Sequence, residues 1–130
     1  MLKVLVVEDE PYVRRGIVLS VDWTARKGIV LATDWQSLGC VVVGEAANGE
    51  GGYDAALKFQ PNIIITDIRM PKMDGIEMLK RLREAGCKSE VIILTAYSDF
   101  EYAQNALHYG AADFLLKPFH DGELEQVIVS

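Results

Sequence analysis

The hydrophobic residues of the chain form five short runs, separated by segments with helical spacing. The runs are Lys3 to Val7, Val41 to Val43, Ile63 to Ile65, Val91 to Leu94 and Phe114 to Leu116. Continuous apolar runs of this length are typical of strands that are buried on both faces of a parallel sheet. The alternating pattern therefore predicts a five-stranded sheet that is covered by helices on both sides.

Local signals place the ends of several predicted helices. Pro61 ends one helical pattern, because proline has no backbone N–H and cannot continue a helix. Asp74 and Glu77 have the spacing of a capping box at the start of the next helix. A further helix is predicted from Asp99 to Tyr109 and ends at Gly110. The glycines at 49, 51 and 52 lack the spacing of a phosphate-binding loop, which favours a flexible helix start instead.

The order of these elements predicts where a binding site forms. Right-handed crossovers give a doubly wound, flavodoxin-like α/β fold with strand order 2-1-3-4-5. Sites in such sheets lie beyond the carboxyl ends of the strands. The polar residues at those ends are Glu8 and Asp9 after the first strand, Asp67 after the third, Thr95 after the fourth and Lys117 after the fifth.

This set of side chains is suited to phosphoryl transfer. Mg²⁺ prefers oxygen ligands and commonly binds one or two carboxylates together with a phosphate. Lys117 supplies a positive charge for a phosphoryl oxygen, and Thr95 supplies a hydroxyl donor. Asp67 is then the candidate nucleophile, since carboxylates form aspartyl-phosphates. Each residue alone could be an ordinary turn or surface residue, but their coincidence at four strand ends favours a shared site.

Composition limits the classes of function. The 130 residues suit one domain, and the net charge of −6 argues against a general affinity for nucleic acid or anionic membranes. The apolar runs are too short for a signal peptide or a membrane span, so we interpret the protein as cytoplasmic. Cys40 and Cys87 have no metal-ligand spacing and are not expected to form a disulfide.

Four stretches, VLVVEDE, IIITDIRMPKMDG, VIILTAY and GAADFLLKPF, occur in this order along the chain. Together they resemble the CheY-like receiver domain of bacterial two-component response regulators. The resemblance implies that Asp67 accepts a phosphoryl group from a sensor histidine kinase. It also implies that Mg²⁺ is bound by Glu8, Asp9, Asp67 and the backbone carbonyl of Arg69.

The same resemblance implies a switching mechanism. Thr95 and Lys117 would contact the phosphoryl group, and Phe114 falls at the aromatic switch position of the family. Inward movement of Thr95 would make room for Phe114 and change a surface on the fourth helix, fifth strand and fifth helix. Such a domain catalyses only its own phosphorylation and dephosphorylation, so an enzyme with an external substrate is not expected.

The stretch from Thr66 to Phe119 is also similar to regulators with a C-terminal AraC-type helix-turn-helix domain. We therefore expect residues 1–130 to be a single receiver domain from a longer transcription regulator. DNA binding would occur only through an output domain that is absent from this chain.

A tandem repeat lies between the first and second predicted strands. Arg14 to Ala25 is followed directly by Arg26 to Ser37, with seven of twelve positions identical, where ordinary composition gives about one by chance. A continuous helix through both copies would be longer by about 18 Å. The residues from Gln36 to Cys40, which must return the chain to the sheet, span at most about 17 Å.

Two arrangements are compatible with this repeat. Either one copy packs as the first helix and the other forms an excursion, or the longer helix projects and packs against another subunit, with elements exchanged. The surplus apolar residues are Ile29, Val30, Leu31 and Trp35. Because an excursion would expose an unusual apolar patch, self-association is the favoured interpretation.

Two other classes of function are alternatives to the phosphorylation switch. A phosphatase or phosphotransferase with an aspartyl-phosphate intermediate usually has a second acid two residues after the nucleophile, where this chain has Arg69. It also needs a cap, and no insertion is long enough for one. An interaction module without phosphorylation would not need the complete acidic set.

Overall fold

Five parallel strands in the order β2-β1-β3-β4-β5 form the centre of the fold, as predicted. The computed structural model describes residues 2–21 and 40–117. The strands are β1 (Leu2–Val7), β2 (Cys40–Ala46), β3 (Ile63–Asp67), β4 (Glu90–Ala96) and β5 (Asp113–Lys117). Each predicted apolar run lies within one of these strands.

Alternate strand residues pack into two separate cores. Val4 and Val6 of β1 belong to a cluster on the face covered by α1 (Pro11–Val21), which contributes Ile17. Leu5 and Val7 belong to the cluster on the opposite face. Both faces of β1 are thus buried, which explains why its sequence is apolar without alternation.

The second core is covered by α2 (Gly49–Phe59) and α3 (Gly75–Glu84). Asn48 caps α2 by accepting a hydrogen bond from the backbone N–H of Gly51 at 2.8 Å. The prediction that Asp74 caps α3 is confirmed, because its side chain accepts a hydrogen bond from the backbone N–H of Glu77 at 2.8 Å. These caps fix both helix starts at the end of the sheet where β1 and β3 finish.

The segment predicted as a single helix from Asp99 to Tyr109 is helical along its length, but only part of it is an α-helix. The chain forms a 3₁₀ turn at Tyr97–Asp99, a four-residue helix α4 at Phe100–Ala103, and a 3₁₀ segment at Gln104–Tyr109. Apolar spacing at three and four residues does not separate α from 3₁₀ geometry in so short a segment. The predicted end is confirmed, since Gly110 has a φ of 77° and adopts the left-handed conformation of a C-cap.

Some predictions lie outside the described residues. Residues 14–21 of the first repeat copy are in α1. The rest of that copy and all of the second copy, residues 22–37, are not described. The proposed association through Ile29, Val30, Leu31 and Trp35 therefore stays a prediction. No helix among the described residues is long and apolar enough to cross a membrane. Cys40 and Cys87 are not joined by a disulfide bond.

Candidate metal and phosphoryl site

Three carboxylates meet where β1 and β3 end. These strands pair in parallel, with Val7 opposite Thr66, so the residues that follow them also lie side by side. Glu8, Asp9 and Asp67 each place a carboxylate oxygen within 4.8 Å of the others. The predicted convergence of these three residues is confirmed.

The three carboxylates differ in their exposure to solvent. Glu8 is fully buried, and Asp67 is 9% exposed. Oδ1 of Asp67 accepts a hydrogen bond from the backbone N–H of Ile68 at 2.8 Å. Buried carboxylates are normally paired or bound to a metal, and close carboxylates repel one another unless a cation lies between them. An oxygen-only set of this kind fits a hard cation such as Mg²⁺ better than Zn²⁺ or copper, which favour nitrogen and sulfur ligands.

Arg14 holds the segment that contains Glu8. Its Nη1 group donates to the backbone carbonyl of Glu8 at 2.8 Å, and its Nε lies 3.4 Å from Oε1 of Glu45 on β2. The backbone N–H of Glu8 donates to the carbonyl of Ala46 at 2.9 Å. This role of Arg14 is not apparent from the sequence, because the contact depends on how α1 packs beside β2.

The loop from Ile68 to Asp74 joins Asp67 to α3. The backbone N–H of Gly75 donates to the carbonyl of Ile68 at 2.8 Å, which closes the loop against the end of β3. Arg69 lies in this loop, and its side chain is exposed. The role of its backbone carbonyl as a metal ligand stays a prediction.

The fourth strand brings Thr95 to the same edge of the sheet. Asp67 pairs with Leu94 on β4, so Thr95 is one residue further along the neighbouring strand. Thr95 is fully buried, and its hydroxyl donates to the carbonyl of Ala96 at 3.0 Å. Thr95 is thus positioned beside the acidic residues, although its hydroxyl bonds to the following peptide in this arrangement.

The fifth strand provides the two remaining predicted site residues. Lys117 is the last residue of β5 and pairs with Ala96, which places its backbone at the predicted edge. Its side chain lies outside the described part of the chain. Phe114 is partly buried and packs against the core covered by α2 and α3. Its role as a switch residue stays a prediction.

A second group of polar residues adjoins this site and was not predicted. Tyr102 of α4 donates its hydroxyl to Oδ2 of Asp74 at 2.6 Å. The guanidinium of Arg69 lies 4.6 Å from the centre of the Tyr102 ring, and Arg69 Nε is 3.2 Å from Oδ1 of Asp99. The hydrogen bond to Asp74 is the largest cause that raises the pKa of Tyr102 to about 12.

An open groove of about 680 Å³ lies at the opposite end of the sheet. Its lining includes Leu2, Leu57, Pro61 and Cys87. None of the three clustered carboxylates belongs to this groove, so its size is unrelated to the candidate metal site.

Comparison with known proteins agrees with this geometry. The family model of the response regulator receiver domain matches residues 4–129. The transcriptional regulatory protein YesN of Bacillus subtilis strain 168 is 35% identical over 132 residues, which cover 98% of this chain and 33% of YesN. The chain thus spans only a third of the length of this relative.

Two solved structures show the same architecture. The receiver domain of AraT, a response regulator from Geobacillus stearothermophilus, has a TM-score of 0.83 and 34% identity, covering 98% of this chain and 90% of that chain. A chain of the CheX–CheY complex from Borrelia burgdorferi, solved with BeF₃ and Mg²⁺, has a TM-score of 0.80 and 25% identity, covering 98% and 87%. The chain described here belongs to the family of response regulator receiver domains of two-component systems.

Proposed function

We propose that this receiver domain accepts a phosphoryl group on Asp67 from a sensor histidine kinase in the cytoplasm. The convergence of Glu8, Asp9 and Asp67 within 4.8 Å supports this proposal most directly. Mg²⁺ would be held by these carboxylates and by the backbone carbonyl of Arg69. When bound, the cation neutralises charge that builds up on the transferred phosphoryl group.

Within this proposal the protein residues have distinct roles. Asp67 is the nucleophile, since it ends β3 within the acidic cluster at the carboxyl end of the sheet, and the N–H of Ile68 orients its carboxylate at 2.8 Å. Thr95 would turn from the Ala96 carbonyl to donate to a phosphoryl oxygen. Lys117 would bind another phosphoryl oxygen. Positioning and charge neutralisation are the main needs of this reaction.

The proposed output is a change of surface rather than turnover of a metabolite. Movement of Thr95 would allow Phe114 to repack, and the surface that includes α4 and β5 would then favour a partner or a second subunit. The similarity to a transcriptional regulatory protein supports control of transcription through a C-terminal DNA-binding domain.

Incubation with Mg²⁺ and a small phosphodonor tests the acceptor. Intact mass spectrometry should show one added phosphoryl group on the wild type and none on Asp67→Asn. Asp54→Asn is a matched control, because Asp54 is an exposed carboxylate on α2 outside the acidic cluster. Equal labelling of Asp67→Asn and wild type would contradict the assignment of the acceptor.

A further inference from the structure

Tyr102 joins two helices beside the candidate site. Its hydroxyl donates to Oδ2 of Asp74 at 2.6 Å. The other oxygen of the same carboxylate, Oδ1, accepts a hydrogen bond from the backbone N–H of Glu77, and this bond caps α3. A single carboxylate therefore connects the short helix α4 to the first turn of α3.

Arg69 adds two contacts between the same parts of the chain. Its guanidinium lies over the ring of Tyr102, and its Nε pairs with Asp99 at 3.2 Å. Arg69 follows Asp67 by two residues, and Asp99 follows Thr95 by four. The segments that leave the two neighbouring strands of the site are thus held together at three points.

The hydroxyl–carboxylate bond is the strongest of these contacts. The Arg69 side chain is 62% exposed in its pair with Asp99, and exposed ion pairs contribute little in water. The bond from Tyr102 to Asp74 is partly buried and its acceptor is charged, which makes it stronger than a neutral hydrogen bond. Loss of the Tyr102 hydroxyl therefore removes most of the connection.

The connection is compatible with metal binding but opposes movement of the segment after β4. The three carboxylates are already within 4.8 Å of one another while Tyr102 is bonded to Asp74. The hydroxyl of Thr95, by contrast, donates to Ala96 at 3.0 Å. To reach a phosphoryl oxygen it must leave that bond, and any accompanying shift of the segment from residue 97 to α4 would strain the contact between Tyr102 and Asp74.

We propose that Tyr102 is a positioning residue that stabilises the unphosphorylated arrangement of the site by holding α4 to Asp74. This inference rests on the proposed function, since it assumes a phosphoryl group at Asp67. A contact present in one of two states shifts the equilibrium toward that state by its own free energy. Removing the hydroxyl therefore favours the phosphoryl-bound arrangement without changing the carboxylates that bind Mg²⁺.

Calorimetric titration with Mg²⁺ alone, and then with beryllofluoride at saturating Mg²⁺, separates these two effects. Beryllofluoride binds to carboxylates as an analogue of a phosphoryl group. We expect Tyr102→Phe to bind it at least about fivefold more tightly than the wild type, which corresponds to about 1 kcal/mol, the net strength of a neutral hydrogen bond and so a lower bound here. Its affinity for Mg²⁺ should stay within about twofold, because this variant retains the ring beside Arg69.

Two further variants test the route through Asp74. Tyr53→Phe removes the same group from another partly buried tyrosine, on α2, and should match the wild type in both titrations. Asp74→Asn retains a good capping residue but weakens the acceptor for Tyr102. Tyr102→Phe should then change beryllofluoride binding less in the Asp74→Asn background than in the wild type, because both changes act on one bond.

The possible results separate this inference from the proposed function. If the wild type binds Mg²⁺ and beryllofluoride but Tyr102→Phe binds beryllofluoride no more tightly, the role of Tyr102 is wrong and the proposed function is unaffected. Parallel loss of both affinities in Tyr102→Phe also overturns the role of Tyr102, since the hydroxyl would then support the metal site itself. Wild type that binds no beryllofluoride contradicts the proposed function and this inference together.

Discussion

Replacing Gly75 by alanine tests how closely α3 approaches the phosphoacceptor strand. A Cβ at this position would overlap the carbonyl oxygen of Asp67 and would lie 3.3 Å from the Cα of Ile68. Both neighbours are backbone atoms, and the N–H of Gly75 is bonded to the carbonyl of Ile68 at 2.8 Å. The new methyl group can therefore be accommodated only if α3 or the end of β3 moves.

The expected loss follows from two opposing terms. An unstrained glycine-to-alanine change in a helix gains about 0.5–1 kcal/mol, whereas an overlap with fixed atoms costs about 1–3 kcal/mol. We expect Gly75→Ala to lower the free energy of unfolding by roughly 1–2 kcal/mol. Its affinity for Mg²⁺ should also fall, because displacement of β3 moves Asp67 relative to Glu8.

Gly16→Ala provides a matched control. Gly16 lies in α1, and beyond its chain neighbours and the backbone of its own helix no described atom is within 4 Å of an added Cβ. This variant should gain up to about 1 kcal/mol and retain the wild-type affinity for Mg²⁺. Urea unfolding and Mg²⁺ calorimetry measure both quantities. If Gly75→Ala is as stable as Gly16→Ala, α3 does not approach the end of β3 as closely as described.

Two further predictions concern stability. The Arg83 side chain donates hydrogen bonds to three backbone carbonyls at 2.8–3.1 Å, so Arg83→Leu should lower the free energy of unfolding by roughly 2–4 kcal/mol. Urea unfolding should show a loss below about 0.5 kcal/mol for the exposed control Arg81→Leu. Equal losses in the two variants would contradict the role of these three hydrogen bonds. Tyr102 has its pKa raised to about 12 in the folded state, whereas an unfolded tyrosine titrates near pH 10. The stability that Tyr102 contributes is therefore fully present below about pH 10 and is lost as the pH rises toward 12, so the wild type should lose more stability over this range than Tyr102→Phe. Parallel pH profiles for the two proteins would exclude this contribution.

The positions of the catalytic candidates were predictable because they depend on topology. Continuous apolar runs identify buried parallel strands, and the polar residues that follow each run lie near the carboxyl end of its strand. The convergence of Glu8 and Asp67 follows from the pairing of β1 with β3. This reasoning needs only the order of the strands and is insensitive to small errors in their bounds.

Packing at the start of α2 was not predictable from spacing. The glycine-rich sequence favoured a flexible helix start, but a Cβ on Gly52 would lie 2.6 Å from the Sδ of Met78 and 2.9 Å from a methyl carbon of Val7. Gly49 is likewise buried, and its N–H donates to the carbonyl of Met73 at 2.9 Å. These glycines permit close contact between elements, which a single sequence does not reveal.

The contacts around Tyr102 illustrate the same limit. Tyr102 and Asp74 are 28 residues apart and meet only because α4 packs beside the first turn of α3. The four-residue length of α4 was also missed, since its apolar spacing resembled that of a longer helix. Long-range polar contacts of this kind depend on the packed fold rather than on any local motif.

Chemical mapping of the phosphorylated residue tests the central claim most directly. Borohydride reduces an acyl phosphate on aspartate to homoserine, so treatment after incubation with Mg²⁺ and phosphodonor marks the acceptor for peptide mass spectrometry. We predict homoserine at position 67, dependent on Mg²⁺. Modification at another carboxylate, or at position 67 without any need for a divalent cation, would contradict the account.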